Sequence, residues 1–144
     1  MILLTPELRF ALRANDINRR AAAQGARPEP DPAPVVKLFN PLGAATWLAT
    51  ELGEDDDTLF GLADLGFGYP ELGLFSLSEI ASLRLPFGLG IERDIGFATT
   101  VRLSVWADTA RRVGSILQAQ AIIRRIESAP VPEIPPDPED GKSG

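Results

Sequence analysis

The chemistry open to this chain is limited, because none of its 144 residues is histidine or cysteine. Their absence excludes a Ser-His-Asp triad, a cysteine nucleophile, disulfides and the usual zinc sites. Carboxylates, arginines, hydroxyls, lysines and a single tyrosine remain for catalysis or binding. The composition therefore favours a non-enzymatic role, and we expect no cofactor.

Three carboxylates are the best candidates for a metal site. Glu51, Asp64 and Glu71 lie at the ends of predicted strands. Carboxylates that converge at one sheet edge would bind Mg²⁺ or Mn²⁺, which prefer oxygen ligands. No ligand-spacing motif supports such a site, so pairing with arginines such as Arg84 and Arg93, or a role in turns, is the favoured interpretation.

Two glycine-rich loops carry aromatic residues that suit a contact with a protein partner. They hold Phe67, Tyr69 and Phe87, beside Pro70 and Pro86. Exposed aromatic side chains flanked by glycine are good contact residues. The alternative, somewhat favoured by the sequence alone, is that both loops fold over the edge of a sheet.

The arginines allow a second hypothesis, nucleic-acid binding through two helices. Net charge is −6, and residues 28–96 carry twelve acidic and three basic residues. Phosphate binding requires a contiguous positive surface, so this acidic middle disfavours the hypothesis. The residues that would bind nucleic acid are Arg9, Arg13, Arg20, Arg111, Arg112, Arg124 and Arg125.

The last predicted helix, about residues 103–127, is apolar on two sides. One stripe steps from Leu103 and Trp106 to Ala121, and a second contains Ile116, Ile123 and Ile126. Such a helix is either enclosed in its own domain or engaged with another chain. We expect the three isoleucines to contact a protein partner, with a homodimer as the first version to test.

The first helix has clear signals at both ends. Thr5 is a predicted N-cap, Pro6 suits the first turn, and Gly25 is a plausible stop. Helical spacing predicts a buried stripe, which consists of Phe10, Ala14, Ile17 and Ala21.

The pattern of the middle of the chain predicts a meander of short strands. Their connections are too short for parallel crossovers, so the strands should pair antiparallel. Apolar residues on both faces predict that helices or a partner cover each side. A short helix should follow Ser76 and end near Arg84, because Ser76 and Glu79 form a capping box. The predicted strands are 35–40, 45–52, 58–65, 72–77 and, as a strand or extended arm, 91–98.

The predicted fold class is α+β, with an antiparallel meander sheet of four to five strands. An N-terminal helix, a short middle helix and a long C-terminal helix accompany the sheet. Residues 1–128 form one domain with a proline-rich connector at 28–34, and 129–144 form a disordered acidic tail. No export signal or membrane span is recognisable, so we expect a cytoplasmic protein without a membrane partner.

Several blocks, in order over about residues 3–112, resemble a bacterial domain-of-unknown-function family, number 2958. The resemblance implies a small protein often carried on plasmids, integrative elements or phages, with no established activity or catalytic residues. The blocks are Leu4-Thr-Pro-Glu-Leu8, Val36-Lys-Leu-Phe39, Thr46-Trp-Leu-Ala-Thr-Glu51, Leu59-Phe-Gly-Leu-Ala-Asp-Leu-Gly66, Pro70-Glu-Leu-Gly73, Ser76-Leu-Ser-Glu79 and Ile91-Glu-Arg-Asp94.

Together these observations favour a non-enzymatic interaction module of a mobile genetic element that acts by protein–protein contact. Nucleic-acid binding through the helix arginines is the alternative, and a carboxylate-metal-dependent enzyme is third.

Overall fold

The computed structural model describes residues 1–129. Within these residues, short apolar stretches separated by turns form five strands, and longer amphipathic stretches form four helices. A 3₁₀ turn at Pro86–Gly88 follows the second helix. In chain order the elements are α1 (Pro6–Gln24), β1 (Val36–Phe39), β2 (Thr46–Leu52), β3 (Thr58–Asp64), β4 (Glu71–Ser76), α2 (Leu77–Ser82), β5 (Glu92–Arg93), α3 (Leu103–Val113) and α4 (Ile116–Ser128).

The strands pair antiparallel in the order β4-β3-β2-β1-β5, which confirms the predicted α+β meander. A bulge at Thr50 shifts the β2–β3 register. Gly61 lies beside this bulge, where an added Cβ would be 1.8 Å from the carbonyl oxygen of Leu48. Only glycine permits β3 to approach β2 so closely.

Each face of the sheet carries its own hydrophobic core, as the two-sided apolar strands predict. On the first face, Leu38 and Trp47 are buried with Leu12 of α1 and Ile80 of α2. On the second face, the core joins the sheet to α3 and α4. Its buried members are Leu48, Leu62, Leu103, Trp106, Ala107, Ala110, Ile116, Ala119 and Ile123.

The predicted buried stripe of α1 is wrong, although its caps are confirmed. Thr5 accepts from the Leu8 amide, and Gly25 caps the far end. Phe10 is 76% exposed and Ile17 is 54% exposed, whereas the buried side contains Leu12, Asp16 and Ala22.

The sheet-facing side of α1 is partly polar because its side chains donate hydrogen bonds to backbone carbonyls at the bulged end of β2. Asn15 Nδ2 donates to the Thr50 carbonyl over 2.9 Å, and Arg13 Nη1 donates to the Leu52 carbonyl over 2.6 Å. Backbone groups that leave the ladder at a bulge need such partners. The side of α1 that faces the sheet therefore includes Arg13, Asn15 and Asp16, and the predicted stripe of Phe10, Ala14, Ile17 and Ala21 is on another side of the helix.

The predicted long C-terminal helix is two helices. Gly114 has φ of 76°, the left-handed conformation that ends α3, and Ser115 then caps α4 by accepting from the Gln118 amide. The turn folds the second apolar stripe onto the same core as the first. Ile116 and Ile123 are therefore enclosed by their own chain, and of the three isoleucines only Ile126 is exposed, at 64%. The expectation that all three contact a partner is wrong for Ile116 and Ile123.

The remaining segments are tied to the domain. Connector residues 28–34 have no helix or strand, but Asp31 accepts from the Ser104 amide at the start of α3. Ser76 accepts from the Glu79 amide, which confirms the capped start of α2. The predicted last strand, 91–98, shortens to Glu92–Arg93. The predicted tail, 129–144, lies outside the described residues except for its first residue.

Candidate functional site at the edge of β4

The β5 edge of the sheet is short and covered by the start of the chain. β5 contains two residues and pairs with β1. Arg93 Nη1 donates to the carbonyl oxygens of Ile2 and Leu3, each over 2.8 Å. Leu3 and Leu4 are buried in the core of the first face. This edge is therefore closed against another strand.

The opposite edge is β4, a six-residue strand that pairs with β3 on one side. The Leu77 amide donates to the Asp57 carbonyl over 2.9 Å, which sets the alternation of the β3–β4 ladder. By that alternation, the N–H and C=O groups of Leu72 and Leu74 point away from β3. We call this side of β4 the open edge.

The same two leucines place apolar side chains on the second face. They pair with Leu62 and Phe60 of β3, and residues opposite each other in an antiparallel pair share a face. Leu74 is 72% exposed, although the Leu62 side chain beside Leu72 is fully buried under α3. Helices α3 and α4 therefore leave the outer margin of the second face uncovered.

The loop that precedes β4 adds exposed apolar side chains near the start of the strand, in a recess that they line with Ala63 and Glu71 of the first face. Leu65, Phe67 and Tyr69 are exposed, the last at 81%. An added Cβ on Gly114 would be 3.5 Å from the Gly68 carbonyl oxygen, so the loop lies against the α3–α4 junction. Phe67 and Tyr69 are thus held at the surface beside the open edge.

Phe87 belongs to a different surface. It is 91% exposed in the turn that follows α2, and neighbouring Leu85 packs against the core of the first face. The structure therefore groups Phe67 and Tyr69 beside β4 and separates Phe87 from them.

A groove of about 640 Å³ lies beside the open edge. Its apolar part is formed by Phe60 and Leu74, which are opposite each other in the β3–β4 pairing. Around them are five carboxylates and two guanidinium groups, so the lining carries a net negative charge. We call this site the acidic groove; its charged lining residues are Asp16, Glu29, Glu51, Glu54, Asp55, Arg19 and Arg20.

The arginines of the groove are engaged by an ion-pair network centred on Asp16. The buried Asp16 carboxylate lies 2.8 Å from Arg13, 3.2 Å from Arg19 and 3.2 Å from Arg20. Arg19 also binds Glu51 over 2.8 Å. Burial by itself raises the pKa of Asp16, but the hydrogen bond from Arg13 and the three positive charges outweigh it, and the pKa is lowered.

The pKa of Arg19 is raised, chiefly by its hydrogen bond to Glu51. Arg20 binds Glu54 over 2.7 Å. The network therefore holds both guanidinium groups against carboxylates of the chain.

Asp55 keeps a full negative charge at one end of the groove. It accepts from the amides of Asp57 and Thr58 and from the Thr58 hydroxyl. The hydroxyl bond is the largest cause that lowers the pKa of Asp55 to about 2. The pKa of neighbouring Asp57 is lowered as well, first by its hydrogen bond from Ser76. The acidic loop is thus an ordered hairpin turn that joins β2 to β3.

The three predicted metal ligands do not converge. Glu51 is opposite Phe60, whereas Asp64 is opposite Thr46, so the two lie toward opposite ends of the β2–β3 pair. Asp64 is buried and accepts from the amides of Gly66 and Ile116, which places it at the start of α4.

The third carboxylate of that set, Glu71, is exposed on β4. Within residues 1–129 no group of three or more potential ligands is placed to hold a metal ion.

The predicted nucleic-acid arginines lie on opposite sides of the sheet. Those of α1 are paired: Arg9 lies 2.6 Å from Asp56, and Arg13 and Arg20 bind Asp16. α1 packs on the first face, whereas α3 and α4 pack on the second, so these helices do not present one positive surface. The arginines of α3 and α4 are all exposed: Arg111, Arg112, Arg124 and Arg125.

Fold and site together define an α+β domain with a meander sheet between two helical layers and an exposed apolar margin at one edge. The chain belongs to the family described as protein of unknown function (DUF2958), whose model matches residues 3–117. The match ends inside α4, beyond residue 112, where the resemblance was expected to stop. No curated protein and no solved structure matches the chain. Of the helices described, none is long and apolar enough to cross a membrane.

Proposed function

We propose that this protein is a non-enzymatic interaction module of a bacterial mobile genetic element, acting in the cytoplasm by protein–protein contact. One observation carries the proposal: five exposed apolar side chains lie on the open edge and in the loop that precedes it. Apolar patches of this kind on a soluble domain mark interaction sites. The side chains concerned are Leu65, Phe67, Tyr69, Leu72 and Leu74.

The cellular setting rests on the family resemblance. Genes for plasmid transfer, integration or phage functions on both sides of this gene would support the proposed mobile-element context. A chromosomal neighbourhood without such genes, in this and related genomes, would contradict it.

Site-specific photo-crosslinking in the native host tests the contact surface. A photoreactive phenylalanine analogue replaces Leu74 in one strain and Phe10 in the other. Phe10 is the matched control because it is 76% exposed, against 72% for Leu74, but lies on α1. We expect adducts with a discrete partner at position 74 and none at position 10. Identical adducts at both positions, or none at 74, would contradict the proposal.

A gel-shift series with single- and double-stranded DNA at low salt separates this proposal from the alternative. The distribution of arginines over both sides of the sheet predicts no retardation that depends steeply on salt. A steep salt dependence that disappears in an Arg124→Gln, Arg125→Gln variant would favour nucleic-acid binding instead.

A further inference from the structure

We propose that the acidic groove and the open edge together bind an extended, basic and apolar segment of a partner protein, which adds to the sheet as a strand beside β4. This inference rests on the proposed function and specifies the partner's chemistry. It depends on three features that meet at this place: backbone groups of β4 that pair with no strand within residues 1–129, exposed leucine side chains and an excess of carboxylates.

The backbone of β4 is suited to strand addition. Outward N–H and C=O groups of Leu72 and Leu74 give two donors and two acceptors for an incoming strand. β4 contains no lysine or proline, its one charged residue is Glu71 at the first position, and its pairing with β3 is regular from Thr58↔Ser76 to Ala63↔Glu71. Edge strands protected against new partners usually have a charge, a proline or a bulge. In peptide recognition by strand addition, such main-chain hydrogen bonds supply much of the affinity.

The side chains above the open edge specify apolar residues at alternate positions. Leu72 and Leu74 share the second face with Phe60, so every second side chain of an added strand would contact this apolar margin. Phe67 and Tyr69, in the loop before β4, line a recess with Ala63 and Glu71 of the first face and are not part of this margin. An alternating apolar segment would therefore place its apolar side chains against Leu72 and Leu74.

The charge of the groove selects a basic segment. Asp16 and Glu51 are neutralised by arginines of the chain, and Glu54 is paired but remains 70% exposed. Asp55 stays ionised because its pKa is about 2. Glu29, on the connector, adds a further exposed carboxylate. Lysine or arginine at the end of the segment would meet this negative field.

The same charge argument disfavours two other occupants. A second copy would bring together two blocks of net charge −9, residues 28–96 of each chain. The chain's own residues 128–144 carry four acidic residues and one lysine, so they are also of like charge. Like charges brought together at an interface suppress binding.

Peptide binding, measured by fluorescence anisotropy with the full chain, tests the inference. The probe is Lys-Thr-Val-Thr-Leu-Thr-Val-Thr-Lys, which has a basic residue at each end and therefore suits either strand direction. Its twin has glutamate in place of both lysines. We expect the basic peptide to bind at least about tenfold more tightly than the acidic twin. Equal binding of the two, or no binding of the basic peptide, would overturn the inference.

A charge reversal in the protein provides the reciprocal test. Glu29→Lys combined with Glu54→Lys should lower the affinity for the basic peptide by about tenfold and raise the affinity for the acidic twin. Asp108→Lys on α3 is the control, because Asp108 is 66% exposed and makes only a 3.8 Å contact with Arg111. If the variant binds the acidic twin more tightly than the wild type does, the variant is folded. An equal effect of the control would contradict a role for the groove.

N-methylated peptides test strand addition itself. One version is methylated on the amides of alternate residues that include the leucine, and the other on the threonine amides. Because only one set of amides faces β4, one version should lose binding and the other should retain it. If both bind as well as the parent peptide, strand addition is wrong.

The inference and the proposed function fail in different ways. Crosslinks from position 74 to a partner, together with failure of the basic peptide, would retain the interaction module and overturn the basic-strand inference. A crosslinked homodimer through position 74 would also overturn it. Light scattering of the purified chain should give the mass of a monomer, and a dimer that Leu74→Lys dissociates would contradict the inference.

Discussion

The two edges of the sheet differ in nearly every property that controls pairing with another strand. β5 is two residues long, and Arg93 ties it to the carbonyls of Ile2 and Leu3. β4 is six residues long, is regular, and has two exposed leucines. Within residues 1–129, the contrast identifies β4 as the edge of the sheet that is open to pairing with another strand.

The contrast also separates residues that stabilise the fold from residues available for binding. Near β5, side chains of the start of the chain are buried in the core of the first face. Along β4, apolar side chains are exposed at a free energy cost that the fold tolerates. Mutations at the two edges should therefore have different consequences.

The largest expected difference in stability is between Leu38→Ala and Leu74→Ala. Leu38, on β1 beside β5, is fully buried, so its truncation should lower the free energy of unfolding by about 2–5 kcal/mol. Leu74→Ala should change that free energy by less than about 0.5 kcal/mol. Urea denaturation measures both, and similar losses would contradict the contrast.

A smaller effect is expected for Arg93→Met at the closed edge. It removes the donor to two carbonyls of the N-terminal residues and should cost about 1 kcal/mol, because those carbonyls gain access to water. Hydrogen exchange should become faster at the amide of residue 93, which donates to Met1 Sδ over 3.3 Å and loses this partner when the start of the chain is released. Arg84→Met, at an exposed position after α2, is the matched control and should change neither quantity. Unchanged exchange in Arg93→Met would show that this arginine does not close the edge.

The smallest expected effect is the dependence of stability on pH that arises from the hairpin at the end of the acidic groove. The folded-state pKa of Asp55 is about 2, below its ordinary value of 3.8, so its contribution to stability is complete above pH 4 and is lost as pH falls toward 2. Asp16 and Asp57, whose pKa values are also lowered, act in the same direction.

NMR titration of the side-chain carboxyl carbons measures these ionisations. The Asp55 midpoint should lie near 2, and Asp55→Asn should reduce the loss of stability between pH 4 and pH 2. A midpoint near 3.8 would contradict the hydrogen bonds that define this turn.

The sequence predicted the sheet well because local signals define its strands. Apolar runs bounded by turn residues gave four strands within a residue or so of their observed ends. The capping residues Thr5 and Ser76 were recognised for the same reason. The break at Gly114 was missed although Gly114 and Ser115 are a standard stop and start, because the apolar spacing continues through them.

The site could not be derived from local patterns. Glu29, Glu54 and Leu74 meet only after the connector, the β2–β3 hairpin and β4 are brought together. Which strand lies at the edge depends on the complete pairing order. The local sequence therefore does not distinguish Leu72 and Leu74 from residues of an inner strand. The buried, polar side of α1 depends on the bulge at Thr50, which hydrophobic spacing does not reveal.

Hydrogen exchange at the Leu72 and Leu74 amides tests the open edge most directly. In the free protein these two amides should exchange rapidly, while those of Gly73 and Phe75, which face β3, are protected. Saturation with the basic peptide should protect Leu72 and Leu74. Protection already present in the free chain, or fast exchange that persists in the complex, would contradict the account.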